Sequence, residues 1–409
     1  MIYMAADNDL EIFLSRNLKQ MMKIGSNNYV NIVLHINMID KKQDKKVSKT
    51  VIVEKDKLTI LQTSSHLPTI DSGLPETLIN FCNFTIKEFP ADRYALFLWD
   101  HGTGPIDPFR RATYLTSELF SFENQPESNQ EDGASCYFKK LVTTKTDRGV
   151  CFDDSTGNYL TQSNLVFALN TITTQALNGH KFSLIGFDTC LMGMLEIASD
   201  LRYYADYMVA SQEVEMGTGW DYSKAFSLLK KSNPTPQEFG THIVDAYQKT
   251  YCTTIDDYTL SCIDLSFVEA LETSIHRLAQ LMYESRESFS EEMYEYFSLC
   301  RHKYCCTHFE EPDYIDLEHF LKNLLQKTNS ATSESNKTIE TTKAMICQCA
   351  KQTLQHLQQA IVANKFGTKY KNVGGLSIYF PERHIHPSYK NNKFATTTAW
   401  FSFLQQYTQ

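Results

Sequence analysis

The sequence predicts an α/β fold on a mainly parallel central sheet, followed by a helical C-terminal portion. Three observations carry this. Apolar runs such as Ala95-Leu96-Phe97-Leu98-Trp99 and Phe182-Ser183-Leu184-Ile185-Gly186-Phe187 stop at polar or glycine-bearing stretches, as strands buried on both faces do. These runs alternate with helix-like segments through residues 1–233, which implies a sheet covered on both sides. Between residues 234 and 370 the pattern is helical.

Taken in order, residues 2–5, 29–36, 94–99, 182–187 and 207–211 read as strands, with helices near 10–22, 75–88, 161–173 and 192–201. Residues 47–54 and 58–62 read as a hairpin turning at Lys55-Asp56-Lys57. Residues 106–148 break the alternation: they are rich in Ser, Glu, Asn, Gln and Lys and carry little apolar periodicity. A structureless stretch of that length is a functional or disordered segment, or a tolerated surface insertion. Helices follow near 238–250, 267–283, 291–299, 315–325 and 341–362, with a polar linker at 327–337. Gly374-Gly375-Leu376-Ser377-Ile378-Tyr379-Phe380-Pro381 reads as a late strand, and 398–407 as a terminal helix. The chain therefore divides into an α/β domain (1–233), a helical domain (234–370) and a returning strand and helix (371–409).

At 409 residues, with 42% hydrophobic and 21% charged side chains, the chain has the composition of an ordinary globular protein with a large core. A net charge of −9 argues against a nucleic-acid-binding surface. No apolar run approaches the roughly 18 residues needed to cross a bilayer. Met1-Ile2-Tyr3-Met4 has neither the basic start nor the cleavage site of a signal peptide. It reads as the inside of a strand, so a native leader is compatible with it and localisation stays open. Eleven scattered cysteines, an odd number, make no disulfide framework; reduced, buried thiols are expected. The spacing of Cys300, His302, Cys305, Cys306 and His308 matches no common zinc site, and no metal is expected there.

Two islands carry chemistry: Leu98-Trp99-Asp100-His101-Gly102-Thr103-Gly104 and Gly186-Phe187-Asp188-Thr189-Cys190-Leu191-Met192. Each begins where an apolar strand ends, and open parallel sheets gather chemistry at the carboxyl ends of their strands. If the two strands share an edge, one imidazole meets one thiol, as a cysteine–histidine hydrolase requires. Small neighbours let backbone approach a substrate closely.

These islands are joined by Tyr3-Met4-Ala5-Ala6-Asp7-Asn8-Asp9-Leu10-Glu11, Ala210-Ser211-Gln212-Glu213, Gly217-Thr218-Gly219-Trp220-Asp221-Tyr222 and Gly375-Leu376-Ser377-Ile378-Tyr379-Phe380-Pro381. Together they resemble the clostripain family of cysteine peptidases, in the right order over nearly the whole chain. Each motif alone is weak; the ordered set is specific. That family is similar in its core to caspases, legumains and gingipains, so the resemblance implies a caspase-like α/β/α sandwich. The caspase nucleophile signature is absent, and caspase specificity is not implied.

The resemblance implies Cys190 as nucleophile and His101 as the catalytic imidazole of an endopeptidase cleaving after Arg or Lys. Backbone N–H groups of Gly102 and Cys190 are the expected oxyanion donors. A basic P1 side chain needs a carboxylate in its pocket. Asp188 is the first choice, Glu213 and Asp221 are further candidates, and Ser211 and Trp220 are expected as walls. Asp100 is expected to be structural. The resemblance also implies a precursor cut between the two islands; Lys139, Lys140, Lys145 and Arg148 lie there, and cleavage after Lys145 or Arg148 is expected. The processed chains should stay associated as a monomer. No cofactor is expected to be required. Some relatives depend on calcium, but Asp7, Asn8 and Asp9 lack the spacing of a calcium loop and read as a cap for the following helix. Two other readings fit the same residues: a catalytically inert caspase-like interaction or regulatory protein, and another Cys–His hydrolase such as an amidase or transpeptidase.

Overall fold

A computed structural model describes residues 1–40, 44–106, 149–288, 290–327 and 337–409. Its strands are β1 (Ile2–Ala5), β2 (Val33–Asp40), β3 (Lys45–Glu54), β4 (Lys57–Ser64), β5 (Ala95–Trp99), β6 (Val150–Asp153) and β7 (Asn158–Leu160). They continue as β8 (Phe182–Asp188), β9 (Ala205–Ala210), β10 (Thr259–Asp264), β11 (Tyr314–Asp316), β12 (Ile361–Phe366) and β13 (Ser377–Tyr379). The first helices are α1 (Glu11–Met22), α2 (Pro75–Glu88), α3 (Gln162–Gln175), α4 (Leu195–Leu201), α5 (Tyr222–Ala225) and α6 (Pro236–Tyr251). The later ones are α7 (Val268–Ser288), α8 (Ser290–Arg301), α9 (Leu317–Lys327), α10 (Lys337–Ala360), α11 (Lys393–Thr397) and α12 (Trp400–Tyr407).

Nine strands form one sheet in the order β12-β10-β9-β8-β5-β1-β2-β3-β4. The inner five, β9-β8-β5-β1-β2, run parallel. The flanking β3–β4 and β10–β12 pairs run antiparallel. The side-chain period of two divides the core between the faces. Ile2, Met4, Leu34, Phe97, Leu184 and Val209 pack with Leu14 of α1, Tyr222 of α5 and Ile243 and Tyr247 of α6. Tyr3, Ala5, Leu96, Leu98, Ile185 and Phe187 pack with Phe81 of α2, Leu169 of α3 and Ile275 of α7. This is the three-layer α/β/α architecture expected from the sequence. Burying a Leu, Ile, Val, Met or Phe side chain contributes about 1.5–3 kcal/mol, and here both faces of the sheet are buried in this way.

Several segments differ from the sequence expectation: the helix expected at 315–325 opens as β11 and becomes helical at Leu317, and the one expected at 192–201 starts at Leu195. The strand drawn at 29–36 begins at Val33, because Asn27 and Val30 close a tight bridge first. Residues 234–370 are not helical throughout: they supply β10 and β12 to the central sheet. Residues 341–362 are not one helix, since α10 ends at Ala360 and Ile361 passes directly into β12. β10 carries the polar–apolar alternation of a strand in Thr259-Leu260-Ser261-Cys262, and β9 and β12 bond to its two sides. The late strand pairs with β11, outside the central sheet, while Ser377 bridges Met194 beside the Cys190 loop. It is anchored from the C-terminus, where Trp400 Nε1 donates to the Tyr379 carbonyl at 2.9 Å.

Candidate active site

β5 and β8 are neighbours and parallel, with Trp99 opposite Asp188. His101 and Cys190 each follow their paired position by two residues, so both leave the sheet at the same edge. The ladder runs one step further, Asp100 N–H donating to the Asp188 carbonyl at 3.3 Å. Gly102 lies so close to the second strand end that a Cβ there would come within 2.5 Å of the Cys190 carbonyl oxygen. Glycine is required for this approach.

Cys190 is buried, and its Sγ accepts the N–H of Glu215 at 3.3 Å. Burial pushes the thiol up; the Glu215 N–H opposes this, while the carboxyls of Glu215, Glu213 and Asp188 add to it. The resting sulfur is therefore a neutral thiol that needs a base. Leu191 follows in the left-handed region (φ +60°), and its N–H donates to the Glu213 carbonyl. A branched apolar residue seldom takes that conformation; here it reverses the chain immediately after the nucleophile candidate.

His101 is a quarter exposed and its Nε2 lies 2.6 Å from Asp9 Oδ1. The Phe152 ring meets the imidazole edge-on, centroids 6.4 Å apart. Burial lowers the affinity of the ring for a proton, but the Asp9 contact and the charges of Asp100, Asp9 and Asp154 outweigh it, and the net direction is upward. Asp100 itself accepts from Asn8 Nδ2 at 2.7 Å and from the Phe152 N–H. Its burial raises the carboxyl to about 8. It ties the ends of β1, β5 and β6 together.

Asp188 is buried; Trp220 N–H donates to Oδ1 at 3.0 Å and Tyr222 Oη to Oδ2 at 2.7 Å. Gly219, at φ +62°, brings backbone against this carboxyl: a Cβ there would lie 2.8 Å from both oxygens. The sequence reading missed Glu215. Its Oε2 accepts from Trp220 Nε1 at 3.0 Å, and its carboxyl is hydrogen-bonded to that of Asp188. Burial raises both carboxyls, and the charge of Asp188 raises Glu215 further. The two acids thus stand together behind Cys190.

The other pocket candidates have these partners. The Glu213 carboxyl accepts from Tyr370 Oη and from the N–H groups of Val214 and Glu310, and its charge also reaches the Cys190 thiol. Asp221 caps α5, accepting from Ser223 N–H at 3.1 Å. Ser211 Oγ is held by the Glu213 carbonyl and Thr259 Oγ1. Trp220 is buried against Phe97 and supplies donors to both Asp188 and Glu215. Lys145 and Arg148, like Lys139 and Lys140, lie outside the described residues.

Asp7, Asn8 and Asp9 do not converge as a calcium site would require. Asp7 Oδ2 is 2.7 Å from the Lys46 ammonium, the Asn8 amide spans to Asp100, and Asp9 reaches His101. The cap expected here is not formed on the helix: Leu10 holds the N-cap position of α1 without a side-chain cap, and Asn8 Oδ1 accepts the Leu10 N–H at 3.0 Å in the turn ahead of it. In the C-terminal cysteine-rich stretch, His308 is held by the Arg301 and Pro312 carbonyls, so its imidazole does not turn toward the nearby thiols.

A mainly parallel sheet that delivers an imidazole and a thiol to one edge is the frame of a caspase-like cysteine peptidase. The sequence model of the clostripain family, Peptidase C11, matches residues 2–114 and 133–407, and the chain belongs to that family. It is a cysteine-type peptidase. Clostripain of Hathewaya histolytica is 23% identical over 460 residues, covering 99% of this chain and 79% of that protein. Among solved structures, an inactive zymogen C11 protease from Parabacteroides distasonis shares the fold with a TM-score of 0.62 at 18% identity, over 97% of this chain and 96% of that one. A secreted C11 cysteine protease from Bacteroides thetaiotaomicron, in complex with an irreversible peptide inhibitor, also gives 0.62 at 16% identity, over 98% and 97%. No helix among the described residues is long and apolar enough to cross a membrane.

Proposed function

We propose that the protein is an endopeptidase that cleaves after Arg or Lys, with Cys190 as nucleophile and His101 as acid and base. The observation that carries this reading is the parallel β5–β8 pairing, which brings both residues to one edge above a buried pair of acids. His101 takes the thiol proton as Sγ attacks the scissile carbonyl carbon. The N–H groups of Gly102 and Cys190 receive the oxyanion. The imidazolium then protonates the leaving amine, and water, deprotonated by His101, releases the acyl group from sulfur. A P1 guanidinium or ammonium is matched by Asp188 and Glu215, since a buried carboxylate gains most from a cation that neutralises it. No step uses a metal.

Turnover of fluorogenic peptides ending in Arg, Lys, Asn and Asp tests the reading. The basic pair should dominate and Cys190→Ala should abolish it. Equal turnover of all four points to another thiol hydrolase, and none at all points to an interaction protein.

Self-cleavage after Lys145 or Arg148 belongs to the same proposal. Gly149, the next described residue, donates its N–H to Thr103 Oγ1 at 2.6 Å, and Val150 bridges Gly102. A break just upstream would therefore sit within a few residues of the His101 loop. The two products stay together as a monomer because β5 and β8, on either side of the cut, are bonded inside the sheet. Intact mass distinguishes the cases: two chains are expected for the wild type and one for Cys190→Ala, whereas a single chain for both refutes self-cleavage.

A further inference from the structure

We infer that Asp9 is a positioning residue for His101, holding the imidazole by Nε2 so that Nδ1 is the nitrogen offered to Cys190 and the substrate. The inference rests on the dyad proposed above. Its primary observation is the 2.6 Å contact between Asp9 Oδ1 and His101 Nε2, the length of a charge-assisted hydrogen bond. A ring nitrogen that donates to a carboxylate is fixed as N–H, which leaves the other nitrogen free to exchange a proton.

The segment carrying Asp9 is built for this. Asn8, before it, donates through Nδ2 to the Ala5 carbonyl (3.0 Å), Asp100 Oδ1 (2.7 Å) and the Phe152 carbonyl (3.2 Å). Its Oδ1 accepts from Leu10, after Asp9. One residue further back, the Asp7 carbonyl accepts the Asp154 N–H at 2.8 Å, and the Asp7 carboxylate meets Lys46. Asp9 therefore projects from a turn tied on both sides. The Phe152 ring stands edge-on to the imidazole, and Tyr159 stacks on Phe152 at 5.3 Å. The histidine is thus braced by a ring as well as held by a carboxylate.

Asp100, adjacent in sequence, is the more obvious partner and is unsuited to the role. Successive residues of an extended strand end point in opposite directions, and both Asp100 oxygens are engaged by Asn8 and Phe152. Asp100 and Asp154, with Asp9, are the charged groups that act on the ring among the described residues. Only Asp9 reaches it with a hydrogen bond. Asp9 is about half exposed, its side chain 51% accessible, so solvent screens the interaction and its effect is moderate rather than all-or-none.

The test combines Asp9→Asn, Asp9→Glu and a spectroscopic readout. Asp9→Asn should lower kcat about 10–100-fold, a part of the roughly 10²–10⁴-fold that a positioned acid–base group contributes, with KM for Arg peptides and the melting temperature close to wild type. Asp9→Glu should recover part of the loss. In the Cys190→Ala background, nitrogen NMR of labelled imidazoles follows His101 directly, assigned by its disappearance in His101→Gln. Adding Asp9→Asn there should move its midpoint to lower pH by at least about half a unit and reduce the Nε2–H tautomer. An unchanged midpoint and tautomer with kcat within twofold of wild type overturns the inference. The spectroscopic arm needs no turnover, so it reads the Asp9–His101 contact even if the peptidase reading fails.

Discussion

Replacing Cys190 with alanine is expected to lower kcat/KM for Arg- and Lys-terminated peptides by about 10⁴-fold or more, with His101→Ala costing nearly as much and the double variant no more than either. The non-additivity follows from the chemistry: burial and the surrounding carboxyls keep the thiol neutral, so the sulfur is useless without the base and the base without the sulfur. The fold should persist in both variants. Cys190 contributes one small buried side chain at the edge of the sheet, and the strand before it is held by β5 and β9 whatever follows. Steady-state kinetics and a thermal melt check both statements. Turnover by Cys190→Ala within tenfold of wild type would move the nucleophile elsewhere.

The second large effect is expected at Asp188. Asp188→Asn keeps the shape of the side chain and removes its charge. Losing one partner of a buried cation–carboxylate contact costs about 2–5 kcal/mol, or roughly 30- to 5,000-fold in kcat/KM for basic substrates. Peptides with a neutral P1 residue should lose little, so the ratio between substrate classes is the measurement. Glu215→Gln should fall in the same direction. A pH dependence accompanies this. Burial raises both carboxyls, so each holds its proton to a higher pH than a free acid, and protonation removes the charge that a basic P1 residue seeks. KM for Arg peptides should therefore rise as the solution is acidified, and Asp188→Asn should flatten that rise. A preference for basic residues that survives both substitutions would place the pocket elsewhere.

How much of this was legible depends on how local each signal is. The parallel core was legible because β1, β5 and β8 are apolar runs ended by turn-forming residues, and such runs have few alternatives. The His101 and Cys190 islands were legible for the same reason. β12 was not, since it follows α10 without any breaking residue; β10 carries an alternation, Thr259-Leu260-Ser261-Cys262, but sits within a stretch whose pattern is otherwise helical. Among the acids, Asp188 could be chosen because it leaves the same strand as Cys190. Glu213 and Glu215 could not be told apart: they share one loop, yet one turns to Tyr370 and Glu310 and the other to Trp220 and Asp188. Asp221 carried a missed signal, an Asp two residues before a Ser at the start of a short helix, which is a cap pattern.

Asp9 marks the same boundary from the other side. In the sequence it is one of three consecutive polar residues before a helix, indistinguishable from a cap or a cation ligand. It meets His101 only because β1 lies directly beside β5 in the sheet. Sequence alone determined the central parallel strands β1, β5 and β8, the residues that end them and which chemistry those residues can do, because hydrophobic periodicity and side-chain type are local properties. Tertiary structure decided which strand ends are neighbours and which of several carboxylates stands behind the thiol or beside the imidazole, because those relations depend on pairing across distant segments that no local pattern encodes.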